Sequence, residues 1–160
     1  MNLKSVIGGE EKKDMEIVRM STCLSFSEVI DIHKPQVEGM RRAVEGFALN
    51  DPQACQELSR QVRAVESALM ATYCVAAAIA KRAENLIEIA EVWKAMEGFC
   101  DLALGVIKTK KGEFPYCSTP ELYDLALDYK LACQKRHKGV LEEIECANKE
   151  MPKKLFPETI

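Results

Sequence analysis

The chain has 160 residues, of which 48% are hydrophobic and 29% charged, and its formal net charge is −3. This length predicts a single domain, and the apolar share is large enough for a packed core, which disordered chains lack. The basic clusters are short and balanced by nearby acids. We therefore expect no nucleic-acid partner, because such partners are held by clustered Lys and Arg side chains.

Seven cysteines are spread along the chain. An odd, scattered set predicts reduced thiols that pack as small apolar residues, and reduced thiols indicate a cytoplasmic protein. The N-terminal residues lack the continuous apolar stretch of a signal peptide. The longest uncharged run, residues 67–80, is shorter than the roughly twenty residues that span a membrane, so we expect no membrane association.

The pattern of charges and glycines predicts an N-terminal arm over residues 1–24, before a helical domain over residues 25–150. Ser25 and Glu28 have the spacing of a capping box, which predicts that the first helix begins at residue 26. Its apolar seam continues to about residue 49. Pro35 lies inside this helix and removes one backbone donor, which predicts a kink or a split.

Asp51 and Pro52 predict the start of a second helix, with Asp as the N-cap and Pro at the first helical position. From Leu58 to Trp93, apolar or small residues recur at alternating spacings of four and three, which is typical of a long helical seam. Neither Gly nor Pro interrupts this seam. A single helix to residue 110 would be up to about 88 Å long at 1.5 Å per residue, and such a rod would require a dimer.

A break near residue 83 is the alternative to the rod. Arg82 precedes Glu84, and this order of charges suits the end of one helix and the start of the next. The seam also fails when it is extended to Glu97. We favour the break, which predicts helices over residues 52–82 and 84–109.

The last helix is predicted over residues 120–149, because Thr119, Pro120 and Glu121 combine an N-cap, a first-turn proline and an acid. A polar loop precedes it, and Pro152 is expected to stop it before a C-terminal tail over residues 151–160. Together the segments predict an all-α protein, a four-helix up-and-down bundle in which the first and last helices are antiparallel neighbours.

The two histidines, His33 and His137, both lie on apolar seams, and Cys133 lies one turn before His137. Bundle cores can hold metals, so these three side chains, with Tyr129 nearby, form a candidate metal or small-ligand site. The alternative interpretation is that they are ordinary side chains at the edge of the core. The Glu-x-x-His pairs of di-iron bundles and the Cys-x-x-Cys-His motif of covalent haem are absent from the sequence. We expect no cofactor, with a transition metal as the alternative.

No catalytic constellation is recognisable in the sequence. Cys133 and His137 have the spacing of a thiol and its base, but no orienting group or oxyanion donor accompanies them. We therefore expect a protein that is not an enzyme.

Small side chains surround the middle of the second helix, and a helix that is apolar all round is buried all round. This burial can come from a central place in the bundle, which we favour, or from a dimer seam with Ala71, Tyr73, Ala77 and Ala78 at the interface. The sequence thus predicts a cytoplasmic, non-enzymatic interaction, adaptor or regulatory module that binds a protein partner or forms a homodimer. A bundle that binds a metal or a small ligand is the alternative.

Overall fold

The computed structural model of the protein describes residues 25–48, 50–108 and 119–155. Over these residues the regular structure is entirely helical, which confirms the predicted all-α fold with four helices. The helices are α1 (Phe26–Glu45), α2 (Pro52–Arg82), α3 (Leu86–Lys108) and α4 (Thr119–Leu155). The predicted arm over residues 1–24, most of the predicted loop before α4 and the last residues of the tail lie outside the described residues.

Helix α1 begins where the capping box predicts. The backbone N–H of Glu28 donates to Oγ of Ser25 at 3.2 Å. The helix ends at Glu45, earlier than the predicted residue 49, because Gly46 closes the last turn. The N–H of Gly46 donates to the carbonyl of Arg42 at 2.9 Å, which satisfies one of the carbonyls that a helix end leaves free.

Two prolines lie inside helices that continue through them. Pro35 does not split α1, and Pro152 does not stop α4, which extends to Leu155. Both predictions of an interruption are therefore wrong, whereas the kink at Pro35 stays a prediction. A helical proline leaves the carbonyl four residues earlier without its donor. Those carbonyls belong to Asp31 and Asn148, which are exposed, so water can hydrogen-bond to them.

The predicted break between the second and third helices is confirmed, and a single rod is excluded. Helix α2 ends at Arg82, as predicted, and α3 begins at Leu86 after a turn of three residues. The N–H of Ile87 donates to Oδ1 of Asn85 at 2.9 Å, so Asn85 is the N-cap of α3. Asp51 caps α2 in the same way, with its side chain 3.0 Å from the N–H two residues later.

The helix contacts fit an up-and-down arrangement. Nζ of Lys130 on α4 lies 2.7 Å from Oδ1 of Asp101 on α3, and one turn later Gln134 donates to Glu97 at 3.1 Å. Because the residue numbers rise along α4 while they fall along α3, these two helices are antiparallel.

The first and last helices are not the neighbours that we expected. Among the described residues, α2 and α3 each pack against all three other helices, whereas α1 and α4 make at most marginal contact with each other. Helices α2 and α3 carry the widest apolar faces, and burying both faces places these two helices in the centre of the bundle. Helices α1 and α4 therefore lie on opposite sides of the α2–α3 pair.

One continuous core joins the four helices, and most of it comes from the predicted seams. The part of this core that α2 contributes includes one buried polar side chain, Thr72. The hydroxyl of Thr72 donates to the carbonyl of Ala68 at 2.7 Å, so burial does not leave this hydroxyl unpaired. The largest fully buried side chains include Met40, Leu58, Leu69, Met96, Phe99 and Leu122.

The C-terminal end of helix α4 extends beyond the rest of the bundle. Counting along both helices from the paired residues places Leu86, the first residue of α3, opposite residue 145 of α4. Ile144 is still half-buried, whereas residues 145–150 are all exposed. The end of α4 therefore projects beyond α3 without an antiparallel partner from the described part of the chain.

Helix α2 is, of the helices described, the one long and apolar enough to cross a membrane by length and composition alone. A window of 18 residues has a mean hydropathy of 1.4, and 33% of that window is buried. The central helix of a soluble bundle has the same composition. The expected lack of membrane association stays a prediction.

Candidate functional site

The residues predicted to form a metal or ligand site do not meet in one place. His33 is half-buried on α1, whereas Cys133 and His137 belong to α4, which makes at most marginal contact with α1. No group of three His, Cys, Asp or Glu side chains within the described ranges could hold a metal ion. The described part of the chain therefore offers no preformed metal site, because the two histidines lie on helices on opposite sides of the bundle.

Cys133 is fully buried where α4 packs against α3, as is Cys100. Burial raises the pKa of both thiols to about 12, and the negative charge of Glu97 adds to the rise at Cys133. Both side chains are therefore neutral thiols at physiological pH, whereas nucleophilic attack and metal binding need the thiolate. The structure thus gives Cys133 the character of a packing residue.

Tyr129 belongs to an aromatic cluster that joins three helices. Its ring stacks on Tyr73 of α2, with 4.4 Å between ring centroids, and Tyr73 lies 5.8 Å from Trp93 of α3. The guanidinium of Arg136 lies 4.9 Å from the centre of the Trp93 ring, which is a cation–π contact. Burial raises the pKa of Tyr129. These contacts tie α4 to α2 and α3, so Tyr129 and Tyr73 have a packing role.

The four predicted interface residues separate into two pairs. Tyr73 and Ala77 are half-buried against the core of the same chain, whereas Ala71 and Ala78 are exposed. The two exposed alanines lie on an outward surface of α2 that carries no charged side chain over about three turns. This surface, here named the α2 face, consists of Ser67, Met70, Ala71, Cys74 and Ala78.

A second apolar surface lies between α3 and α4, here named the α3–α4 groove. It has a volume of about 520 Å³. Ile87 is 59% exposed and Leu141 is 47% exposed, although aliphatic side chains of this size are usually buried. The lining consists of Ile87, Ala90, Glu91, Lys94, Ala95, His137, Leu141 and Ile144.

Ile87 and Leu141 were not among the residues that the sequence singled out. Each is apolar but adjacent in sequence to a residue of its helix seam, Leu86 on α3 and Val140 on α4. A large apolar side chain that is out of phase with the seam of its helix points away from the core. That mismatch of phase is the signal in the sequence that predicts the exposure of Ile87 and Leu141.

Another groove, with a volume of about 770 Å³, lies where α1 begins and the chain turns from α2 to α3. Glu84, Glu88 and Glu91 line it and are all exposed, with Arg82 beside them and Phe26 below. The exposure of these three acids is that of solvated side chains.

No protein-family model, curated protein or solved structure matches this chain. Its function must therefore be argued from its own surfaces. The α2 face and the α3–α4 groove are two apolar surfaces of the described part of the chain, whereas the thiol of the predicted site, Cys133, is buried and neutral.

Proposed function

We propose that the protein is a non-enzymatic helical-bundle interaction module and that the α3–α4 groove binds an amphipathic helix of a protein partner. The observation that carries this proposal is the exposure of Ile87 and Leu141 on two neighbouring antiparallel helices. Exposed apolar side chains grouped in a groove are typical of protein-binding sites.

The form of the groove supports a helical partner. His137, Leu141 and Ile144 follow one another along α4 at spacings of four and three, so they line one side of the groove turn by turn. The apolar anchors of an amphipathic helix recur at the same spacings, which lets them fit between these side chains. Burial of the exposed parts of Ile87 and Leu141 would contribute about 1 kcal/mol each.

The cysteines support a cytoplasmic location. Two of the described cysteines, Cys74 and Cys146, are exposed free thiols. Exposed free thiols persist in a reducing compartment, whereas an oxidising compartment promotes their pairing. The interaction that we propose therefore takes place inside the cell.

Two variants of exposed leucines on α4 test the proposal. Leu141→Asp places a charge in the groove, whereas Leu131→Asp makes the same change at a side chain that is 53% exposed and lies outside the groove. Tagged wild type and both variants are used to capture proteins from the native cells, and the captured proteins are quantified by mass spectrometry.

We expect that a protein captured by the wild type and by Leu131→Asp is reduced at least about tenfold with Leu141→Asp, since a charge must be desolvated to enter an apolar contact. Direct binding of a peptide from that protein, measured by calorimetry, should show the same order of affinities. If every captured protein responds equally to the two changes, the groove is not the binding site.

A further inference from the structure

We propose that residues 17–24, which precede the N-cap of α1, dock within the same chain into the groove at the start of that helix. This groove, here named the α1 groove, has a volume of about 770 Å³ and lies against the turn from α2 to α3. It shares Glu91 and Ala95 with the α3–α4 groove, but the docking does not depend on partner binding there. Its apolar lining consists of Phe26, Ile79, Ala83, Val92 and Ala95.

Helix α1 stops short of the end of the bundle at which the α1 groove lies. Ser27 of α1 and Ala95 of α3 line both this groove and a second one between the two helices, so they lie close together. Helix α1 begins one residue before Ser27, whereas α3 begins nine residues before Ala95. Because both helices run away from the α2–α3 turn, α3 extends about 12 Å beyond the start of α1, at 1.5 Å per residue. The α1 groove is therefore a part of the α2–α3 pair that α1 leaves uncovered.

The chain that precedes α1 enters this uncovered region directly. Ser25, the N-cap of α1, itself lines the α1 groove. A distance of about 12 Å needs only about eight residues in a helix or four in an extended chain. Residues 17–24 are therefore long enough to cover the groove in either conformation.

The sequence before α1 changes from charged to apolar at residue 17. Six of the seven residues from 10 to 16 are charged. In contrast, five of the eight residues from 17 to 24 are apolar, namely Ile17, Val18, Met20, Cys23 and Leu24. Removal of apolar side chains from water is favourable, and the α1 groove offers them an apolar surface beside their point of attachment. The change in composition thus sets where the docked segment begins.

The start of α1 directs the preceding chain towards the bundle. With Ser25 as the N-cap, Leu24 and Val29 have the positions of a hydrophobic staple, in which the residue before the cap packs against the fourth helical residue. Val29 belongs to the buried core. Contact of Leu24 with Val29 therefore holds the entering chain against the bundle, where the α1 groove begins.

The charge of the segment is compatible with the charge of the groove. Three glutamates and one base, Arg82, are among the lining residues, and exposed Lys81 lies outside the lining. Arg19 is the single charged residue between 17 and 24, so docking brings one positive charge to a lining with an excess of acids. Exposed ion pairs contribute little, so apolar contact provides most of the stability of the docked state.

Alkylation of Cys23 by iodoacetamide in the full chain tests the docking. Each rate is divided by the rate of the same cysteine in the unfolded chain, which removes effects of local sequence. Docked Cys23 should then react at least about tenfold more slowly than exposed Cys74, because the reagent must reach the thiolate. Replacing Ile17 and Val18 together with Asp should remove this protection, because two charges would have to be desolvated in the groove.

The matched control replaces Val6 and Ile7 together with Asp. The same two residue types change, also before α1 but outside the docked segment, so Cys23 should stay protected. Circular dichroism checks that both variants keep the helical content of the wild type. A wild-type Cys23 that reacts as fast as Cys74, or that loses its protection equally in both variants, would overturn the proposal. Protection that disappears on dilution would assign the segment to the groove of a second copy and would equally overturn it.

Cross-linking locates the docked segment. Glu88→Cys places a thiol in the α1 groove, whereas Glu45→Cys places one at the exposed far end of α1, about 28 Å along the helix from its start. A short bifunctional maleimide should link Cys23 to position 88 and not to position 45, which mass spectrometry of the linked peptides measures. Absence of the link to position 88, or equal linkage to both positions, would contradict docking in this groove.

Discussion

The buried thiols of Cys100 and Cys133 differ chemically from the exposed thiols of Cys74 and Cys146. Burial raises the pKa of the first two to about 12, so at pH 8 almost none of either is thiolate, which is the form that alkylating reagents attack. We expect iodoacetamide to label Cys74 and Cys146 in the folded protein, and to label Cys100 and Cys133 only after unfolding. Mass spectrometry of the labelled peptides measures all four sites in one experiment.

The same experiment also tests the metal-site alternative at Cys133. A thiol that binds a metal would be deprotonated, and added zinc would then protect Cys133 selectively from labelling of the partly unfolded chain. Labelling of native Cys133 at the rate of Cys74 would contradict its assignment as a buried, neutral packing residue.

Glu66 and Glu57, both on α2, should make opposite contributions to the pH dependence of folding stability. Burial, and then repulsion by Glu121, raises the pKa of Glu66, whereas hydrogen bonds from Arg60 and Gln61 lower the pKa of Glu57. A raised pKa means that folding disfavours the carboxylate of Glu66, so its charge destabilises the folded protein above that pKa. We therefore expect Glu66→Gln to raise the melting temperature at pH 7, with the gain lost as the pH falls through the pKa of Glu66.

The control is Glu57→Gln, for which the sign is reversed. A lowered pKa means that folding favours the carboxylate of Glu57, so this variant should lower the melting temperature at pH 7 and approach the wild type in acid. Melting curves of both variants between pH 3 and pH 7 measure the two effects. Equal shifts of the same sign would contradict the environments assigned to these carboxyl groups.

Pro35 makes helix α1 less stable than it would be with alanine at the same position. Proline supplies no N–H to the carbonyl of Asp31, whereas alanine would complete this hydrogen bond inside the helix. Because Pro35 is exposed, the change disturbs no core contact. We expect Pro35→Ala to raise the free energy of unfolding by about 1–2 kcal/mol, as measured by urea denaturation.

The matched control is Pro52→Ala in α2. Pro52 is the first residue of its helix, where a missing N–H costs nothing, so this change should leave the free energy of unfolding within about 0.5 kcal/mol of the wild type. An equal gain from both substitutions would mean that the missing hydrogen bond is not the cause.

Helix ends that are set by residues close to them in sequence can be predicted, as both ends of α2 show. Asp51 and Pro52 start it and Arg82 ends it, and both ends agree with the structure. Two other ends were misplaced although their caps are local, since Gly46 and Asn85 were not recognised as caps. The continuation of α4 past Pro152 depends on exposure to water, which the pattern of one helix does not reveal.

To predict the candidate site, one must know which helices are neighbours, and the periodicity within each helix does not show this. His33 and His137 lie on the predicted seams, but whether they meet depends on which helices are neighbours, and α1 and α4 are not. The groove likewise depends on the stagger between α3 and α4. The large apolar side chains of Ile87 and Leu141 were visible in the sequence, but only the register of the two helices shows that they lie together.

The arrangement of the four helices predicts an order of local stability. Helices α2 and α3 pack against all three other helices, whereas α1 and α4 each pack substantially against only two, and residues 145–150 of α4 are exposed. Amides exchange slowly where opening them requires the whole core to open. We expect the slowest exchange near Leu69 of α2 and Met96 of α3.

Hydrogen exchange followed by mass spectrometry measures this order directly. Peptides that cover residues 145–150 should exchange at least about tenfold faster than those that contain Leu69 or Met96, with α1 between the two. If residues 145–150 exchange as slowly as the centre of α3, then α4 does not project from the bundle as the helix register places it.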